Sequence, residues 1–545
     1  MANTLLDLFE KNPQLLEWRD KVTLLSRQLV MGFSGSSKAV VMASALSEQV
    51  PKILIVTSTQ NEAEQLTGDL SAILGEDKVY SFFADDVVAA EFIFASPEKT
   101  HSRLESLNFL IDKEASGILV TSLVGTKLHL PNPEVYKDSR IDLTLGEEHD
   151  LEALSKHLTH IGYQRVEQVL SPGEFSRRGD ILDIYELTAE LPYRLEFFGD
   201  EIDGIRQFDS DSQKSLDNLE HIIVSPADDI ILTREDYQRA EKALESAVSK
   251  AEGPHKAYLE EVLSVTIDGY RHKDLRKFLS LFYDKAYTLF DYLPKGTPVF
   301  IDDFQKIVDR HGRLELEVAN LLTEDLHQGK SLSHLNYLVD SFKTLRNYQP
   351  ASFFSNFHKG LGNLKFDKLY QFTQYPMQEF FNQFPLLVDE IHRYTKNKAT
   401  VILQVGSEKQ LKSLKETLEE YDLDLPLSSF GDLIPHKPHL VLGNLSNGFY
   451  FADEKLVLVT EREIFHKKVK RRARASHVSN AERLKDYNEL EKGDYVVHQT
   501  HGIGQFKGIE TIEIKGVHRD YLTIQYQDAA TISLPVEQIE SLSKY

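Results

Sequence analysis

Gly32-Phe33-Ser34-Gly35-Ser36-Ser37-Lys38-Ala39 is the stretch on which the reading of this chain turns. Its spacing follows the phosphate-binding pattern G-x-x-x-x-G-K-[ST], whose glycines let backbone N–H groups cradle phosphates. Gly32 and Lys38 stand where the pattern wants them, and Gly35 adds a second flexible point. Ser37 takes the place of the last glycine, and Ala39 replaces the hydroxyl that would hold Mg²⁺. The expectation is a nucleotide-motor fold used for binding rather than hydrolysis, although a Gly-Ser loop can also arise by chance. An apolar run, Ile53-Leu54-Ile55-Val56-Thr57, follows one helix-length later, as a strand–loop–helix–strand unit requires.

A second half of such a site lies at Pro298-Val299-Phe300-Ile301-Asp302-Asp303. In a working motor the strand ends in Asp-Glu, which positions Mg²⁺ and the attacking water. Asp302 is in place, but Asp303 is shorter than the glutamate wanted as base. Two spoiled halves point to a retired ATPase; the alternative is an aspartate pair that merely caps the next helix.

Bulk properties narrow the classes. A chain of 545 residues predicts several domains, roughly three to five at ~100–200 residues each. Zero cysteines exclude disulfides, thiolate zinc sites and thiol catalysis, and fit a reducing, cytoplasmic interior. The start, MANTLLDLFEKNPQLLEWRD, is charged and amphipathic rather than a signal peptide. No apolar run reaches the roughly 18 residues of a membrane span, so no membrane is expected. The net charge of −23 repels phosphate backbones, which moves protein partners ahead of nucleic acid.

Along the chain, residues 1–125 alternate helix-like and strand-like stretches, with strands at 53–57, 79–83 and 117–122 and a helix at 61–74. Residues 126–215 read as a β-rich insert, with strands at 181–185 and 193–198 and turns at Pro172-Gly173, Gly179-Asp180 and Gly199-Asp200. Residues 216–345 return to long helices, at 234–252 and 255–263, with one strand. Residues 346–465 form a further α/β domain of unknown role, with strands at 399–405 and 455–460 and a helix at 408–421. Residues 466–488 make a basic and polar linker that holds six basic residues in eight at 467–474. That run is a solvated linker or a short contact with nucleic acid or a partner. A compact β-rich module fills 489–545. The end at Ser543-Lys544-Tyr545, directly after a strand-like segment, suits a truncated chain as much as a natural terminus.

The insert carries Gly162-Tyr163-Gln164-Arg165-Val166 and the run GEFSRRGDILDIY…YRLEFFGDEIDGIRQFD. It resembles the second domain of UvrB, the damage-verifying subunit of bacterial excision repair, and more closely the matching domain of the transcription-repair coupling factors. The resemblance implies docking onto UvrA, with arginines reaching acidic residues of the partner; a guanidinium suits that task because it pairs bidentately with carboxylate. It nominates Arg165, Phe175, Arg177 and Arg178. Ser176 stands where UvrB carries an arginine, and Arg177 beside it is the nearest replacement. Without the resemblance, these arginines would read as solvated surface. Residues 32–39, 53–66 and 298–303 fall where UvrB places its nucleotide motifs, and no aromatic-rich excursion between 75 and 120 answers to the hairpin with which UvrB clamps DNA.

The last module reads GDYVVHQTHGIG from Gly493, then Gly508-Ile509-Glu510-Thr511-Ile512. Short alternating strands with glycine turns predict a small Tudor- or SH3-like barrel. VVHxxHGIGxFxGIET resembles the RNA-polymerase-interacting domain of coupling factors and of CarD-type regulators. That resemblance implies pairing with a strand edge of the polymerase β subunit through Ile509, Glu510, Thr511 and Ile512; barrel core is the other reading of Ile509 and Ile512. His498 and His501, with no cysteine and no third ligand, read as turn residues rather than a metal site.

The fold expected is multidomain α/β: a degenerate P-loop, helicase- or UvrB-like domain split by a β-rich insert, a further α/β domain and a small C-terminal barrel. The expected role is a monomeric adaptor without catalytic residues, metal or cofactor of its own. ATP, Mg²⁺ and most contact with double-stranded DNA would belong to motor domains of the full protein outside this chain. The rival readings are a nucleotide-binding or ATPase module of UvrB type and a direct DNA-binding repair protein.

Overall fold

Lys52–Thr57 is apolar at four of its six positions and is buried throughout, the signature of a parallel strand covered on both faces. In the computed structural model it lies inside a seven-stranded sheet with the order Lys368–Gln371, Arg27–Met31, Ala351–Ser355, Val299–Asp302, Lys52–Thr57, Gly117–Ser122, Val79–Phe82. Every pairing in it is parallel. The structure describes residues 4–7, 12–86, 88, 92, 97–355, 361–466, 493, 495–498, 502–514, 517–525, 531–535 and 542–544. Two units result: one of residues 1–169 and 173–475, the other chiefly of 476–545.

Alternate side chains of the sheet enter two different cores. Leu54, Val56, Leu119, Val299, Ile301 and Phe353 face one, which is completed by helices such as Pro97–Ile111, Arg234–Val248 and Phe304–His327. Val30, Ile53, Ile55, Val120, Phe300 and Phe354 face the other, with Trp18 and the helices Ser36–Ser44 and Gln60–Leu74. The expected strands at 53–57, 79–83 and 117–122 are present to within a residue or so, as is the helix at 61–74. The sheet also recruits Ala351–Ser355 and Lys368–Gln371, so it extends past residue 345. Leu128, Leu130 and Tyr136 pack with this lobe, not with the insert.

The insert is a six-stranded sheet in the order Ser215–Leu219, Glu201–Phe208, Tyr193–Phe198, Ile181–Ile184, Glu174–Arg178, Gln164–Arg165. The helix Leu151–His160 covers one face, where Leu154 and Leu158 meet Phe175, Leu182, Ile184 and Leu195. Ile141–Thr144 and His221–Val224 pair antiparallel and join the two ends of the insert. Just past that ribbon, Asp229 is buried between two guanidiniums: Arg103 at 2.9 Å and Arg276 at 2.5 Å. Burial alone would push the Asp229 carboxyl up, but Arg276 and Arg103 outweigh it and hold the group well below the usual carboxylate range.

A second mixed sheet follows in the order Gln374–Pro376, Phe449–Phe451, Leu456–Thr460, Thr400–Val405, Pro438–Leu442, Leu427–Ser428. One face carries Val401, Leu403, Val405, Leu440 and Val457 under the helices Phe384–Lys396 and Glu408–Glu419. The other face has no such cover of its own. Its Ile402, Val441, Phe449, Phe451, Leu456 and Leu458 join the core of Val30, Val40 and Ile55.

In the second unit, Thr531–Pro535, Val517–Gln525, Gly502–Ile514, Tyr495–His498 and Leu542–Lys544 form a five-stranded antiparallel sheet in that order. The expected linker run 467–474 lies outside the described residues, and so does His501. Among the described residues, no helix is long and apolar enough to cross a membrane.

Asp229→Ala leaves the buried Arg103 guanidinium short of its partner, and urea titration is expected to show a loss of about 3–5 kcal/mol. Because the folded carboxyl titrates below its unfolded value of about 3.9, its contribution is complete above that pH and fades as pH falls. The difference between the two proteins should therefore shrink below about pH 4.

Candidate functional sites

The residues 32–39 loop leaves the strand Arg27–Met31 and enters the helix Ser36–Ser44, as a phosphate loop does. Gly32 has φ 98°, and a Cβ there would lie 2.0 Å from the Phe372 carbonyl oxygen. Gly35 has φ 56°, and a Cβ there would meet the Asn447 side chain at 3.0 Å. The close approach that these glycines permit is thus to the chain itself. The Ser34 N–H and hydroxyl both donate to Gln374 Oε1, at 3.2 and 3.0 Å. Ser37, buried where the pattern wants glycine, donates its hydroxyl to the Ser34 carbonyl at 2.7 Å. Ala39 is buried in the apolar core, with no hydroxyl to offer a cation. Phe33 packs between Phe372 and Phe451, with ring centroids 4.6 and 5.6 Å away.

The charged residues of the two sequence motifs face one another. Lys38 Nζ lies 2.5 Å from Asp302 Oδ1, so the two halves seen in the sequence meet. Asp303, at φ 55°, has Lys306 at 3.8 Å, and Lys306 reaches Glu62 at 2.8 Å. Burial would raise the Glu62 carboxyl, but Lys306, Ser58 and the Lys38 charge prevail and hold it below its usual range. Among the described residues no group of His, Asp and Glu is arranged to hold a metal ion. The donor set fits neither Mg²⁺ nor a triphosphate: the hydroxyl ligand is missing, Asp302 is engaged by Lys38, and the cradle is lined by Gln374 and Asn447.

On the insert, the nominated residues do not form one patch. Arg165 is exposed on the edge strand and pairs in register with Phe175, which places it on the helix-bearing face. Phe175 itself is fully buried in the insert core, so it supports the sheet and offers no surface to a partner, contrary to the expectation for it. Arg177 reaches Glu152 of the covering helix at 2.8 Å. Arg178 alternates to the opposite face and lies half-exposed, 2.9 Å from Asp183 Oδ2. Asp183, fully buried, also accepts from Arg194 Nε at 2.7 Å and Arg194 Nη2 at 2.9 Å. The guanidinium of Arg194 stacks 4.4 Å over Phe208. Sequence reasoning passed over Asp183 and Arg194. The available signal was an aspartate in the apolar run Ile181–Ile184. Asp69 was missed too; it sits beside Leu66, Leu70 and Ile73 on the buried side of its helix.

In the second unit, Ile509, Glu510, Thr511 and Ile512 lie in the strand Gly502–Ile514 and pair with Leu522, Tyr521, Asp520 and Arg519. The other side of that strand pairs with Tyr495–His498 only through Gly502 to Gln505. From Phe506 to Ile514 its second edge therefore has no partner strand among the described residues.

Three family models match in order along the chain. They are the UvrB interaction domain over residues 141–229, the MFD D3 domain over 394–464 and the CarD-like/TRCF RID domain over 490–545. A transcription-repair-coupling factor from Bacillus subtilis is 34% identical over 96% of this chain, and proteins of the same name from Staphylococcus haemolyticus and Staphylococcus aureus are 30% and 29% identical over 95% of it. The chain covers 45% of the length of each of these relatives.

Lys38→Met strips the mostly buried Asp302 carboxylate of its partner and is expected to cost about 1–3 kcal/mol of stability. Thermal unfolding with and without millimolar Mg-ATP should show the same loss. A nucleotide-dependent shift that the variant abolishes would instead make Lys38 a phosphate ligand.

Proposed function

We propose, from the premise that this chain is an N-terminal portion of a transcription-repair-coupling factor, that it is the adaptor part of that protein. One end grips RNA polymerase and the other recruits UvrA. The observation that carries this reading is the presence, in one chain, of a UvrB interaction domain and a CarD-like/TRCF RID domain. The ATP-driven translocase, its Mg²⁺ and most of the DNA contact belong to segments of the full protein outside residues 1–545. The chain itself acts as a monomeric, non-catalytic, cytoplasmic platform.

At the polymerase end, the C-terminal sheet closes as a small Tudor-like barrel, and the open edge beside Ile509, Glu510, Thr511 and Ile512 takes a strand of the polymerase β subunit. An unpaired edge supplies backbone donors and acceptors in the alternation that an added strand needs, while side chains on either side set specificity. At the other end, Arg178 presents a guanidinium already oriented by Asp183, ready to meet a carboxylate of UvrA. Arg165 adds charge at the wet rim of the same sheet.

Calorimetric titration of the chain with the N-terminal lobe of polymerase β should give saturable binding that Ile512→Arg abolishes; absence of binding by the unmodified chain would remove the polymerase end of the reading. For UvrA, Arg178→Glu is expected to weaken binding by more than about 2 kcal/mol, and the exposed Arg165→Glu by under about 1 kcal/mol. Unchanged affinity in both would refute the UvrA surface.

A further inference from the structure

The degenerate loop and the mixed sheet of residues 374–460 are two sides of one seam. Asp69, buried on the helix Gln60–Leu74, accepts three hydrogen bonds there: from Ser36 Oγ at 2.8 Å, from the Ser446 N–H at 2.8 Å and from Ser446 Oγ at 2.7 Å. Ser36 Oγ in turn accepts from the Asn447 N–H at 2.9 Å. The turn that brings Ser446 and Asn447 in is itself held. Gln404 bonds both the N–H and the carbonyl of Leu445, and Glu463 accepts from the Gly448 N–H at 2.9 Å. From the other side Gln374, which opens the same sheet, takes the N–H and hydroxyl of Ser34.

We infer that the former phosphate loop is an internal docking site whose ligand is a segment of this same chain. The amide oxygen of Gln374 and the Ser446-Asn447 turn occupy the cradle, and their engagement fixes the 374–460 sheet on the N-terminal lobe. Three observations converge. The glycines that would let a phosphate approach instead clear the way for the Phe372 carbonyl and the Asn447 side chain. The docked sheet carries its own helices on one face only, and its other face is finished by the core around Val30, Val40 and Ile55. That apolar contact is strong but not directional, whereas a buried carboxylate with three donors is satisfied in a single register. The loop therefore supplies alignment, and the surrounding aliphatic and aromatic side chains supply most of the adhesion. This assigns the 346–465 segment a place: its first strands complete the seven-stranded sheet, its second sheet packs on that lobe, and its attachment shuts the loop to phosphate.

Hydrogen exchange on the whole chain tests this with neither partner protein present. In the unmodified chain the amides of Ser34, Ser446 and Asn447 should be protected. Asp69→Ala should speed exchange at Ser446, which loses its acceptor, by about tenfold or more, and also at Asn447, whose acceptor Ser36 Oγ loses the carboxylate that orients it. It should speed trypsin cleavage within 374–465 while the insert strands exchange as before. If Asp69→Ala fails to fold, Ser36→Ala removes one acceptor and one donor with little change in volume and should give the same pattern at Asn447. Unchanged exchange at these amides in whichever variant folds would overturn the inference. So would protection of the loop by millimolar Mg-ATP or inorganic phosphate in the unmodified chain, because the cradle would then still be open to phosphate.

Discussion

A parallel strand buried on both faces sends successive side chains into different cores, and that constraint organises the large unit. Ile53 and Ile55 look toward the Trp18 side, Leu54 and Val56 toward the long helices. Each face must then be covered by something apolar. One is covered by the helix Pro97–Ile111 and by helices that follow the insert. The other is covered in part by the sheet that begins at Gln374, which leaves that sheet dependent on the lobe beneath it. The closed loop, the fixed base of the insert and the shared core all follow from this need for double cover.

Much of the fold was legible because its signals are local. A run such as Lys52–Thr57 or Leu456–Thr460 is too apolar and too short for anything but a buried strand, and Gly173, Gly179 and Gly199 mark the turns at which each adopts positive φ. Boundaries failed where membership is decided by distant pairing. Ala351–Ser355 and Lys368–Gln371 read as the start of another domain, yet they lie on both sides of Arg27–Met31. No local pattern announces a strand that returns to a sheet begun more than three hundred residues earlier.

The sites divide in the same way. Lys38 and Asp302 could be placed in one site because the motif assigns the lysine to a phosphate and the aspartate to its Mg²⁺, and the fold brings the two together. Phe175 was misplaced as a surface residue because a match to a family string says which residues recur, not which way each side chain points; strand alternation turns it inward with Leu182 and Ile184. Asp183 and Asp69 were overlooked for a shared physical reason. Each is an acid in an otherwise apolar setting, and its meaning lies in partners that only the folded chain brings near: Arg178 and Arg194 for one, Ser36 and Ser446 for the other.

The edge of the strand Gly502–Ile514 that has no partner strand among the described residues also bears on how the chain behaves when alone. A bare strand edge is a template for a second copy of itself, and soluble proteins must discourage that pairing. Antiparallel pairing of two copies about a point between Thr511 and Ile512 would set Glu510 of one against Glu513 of the other, twice over. Like charges directly opposite one another destabilise a ladder, and a net charge of −23 holds the copies apart before they meet. In that register the spacing of two glutamates weighs against self-pairing along this strand.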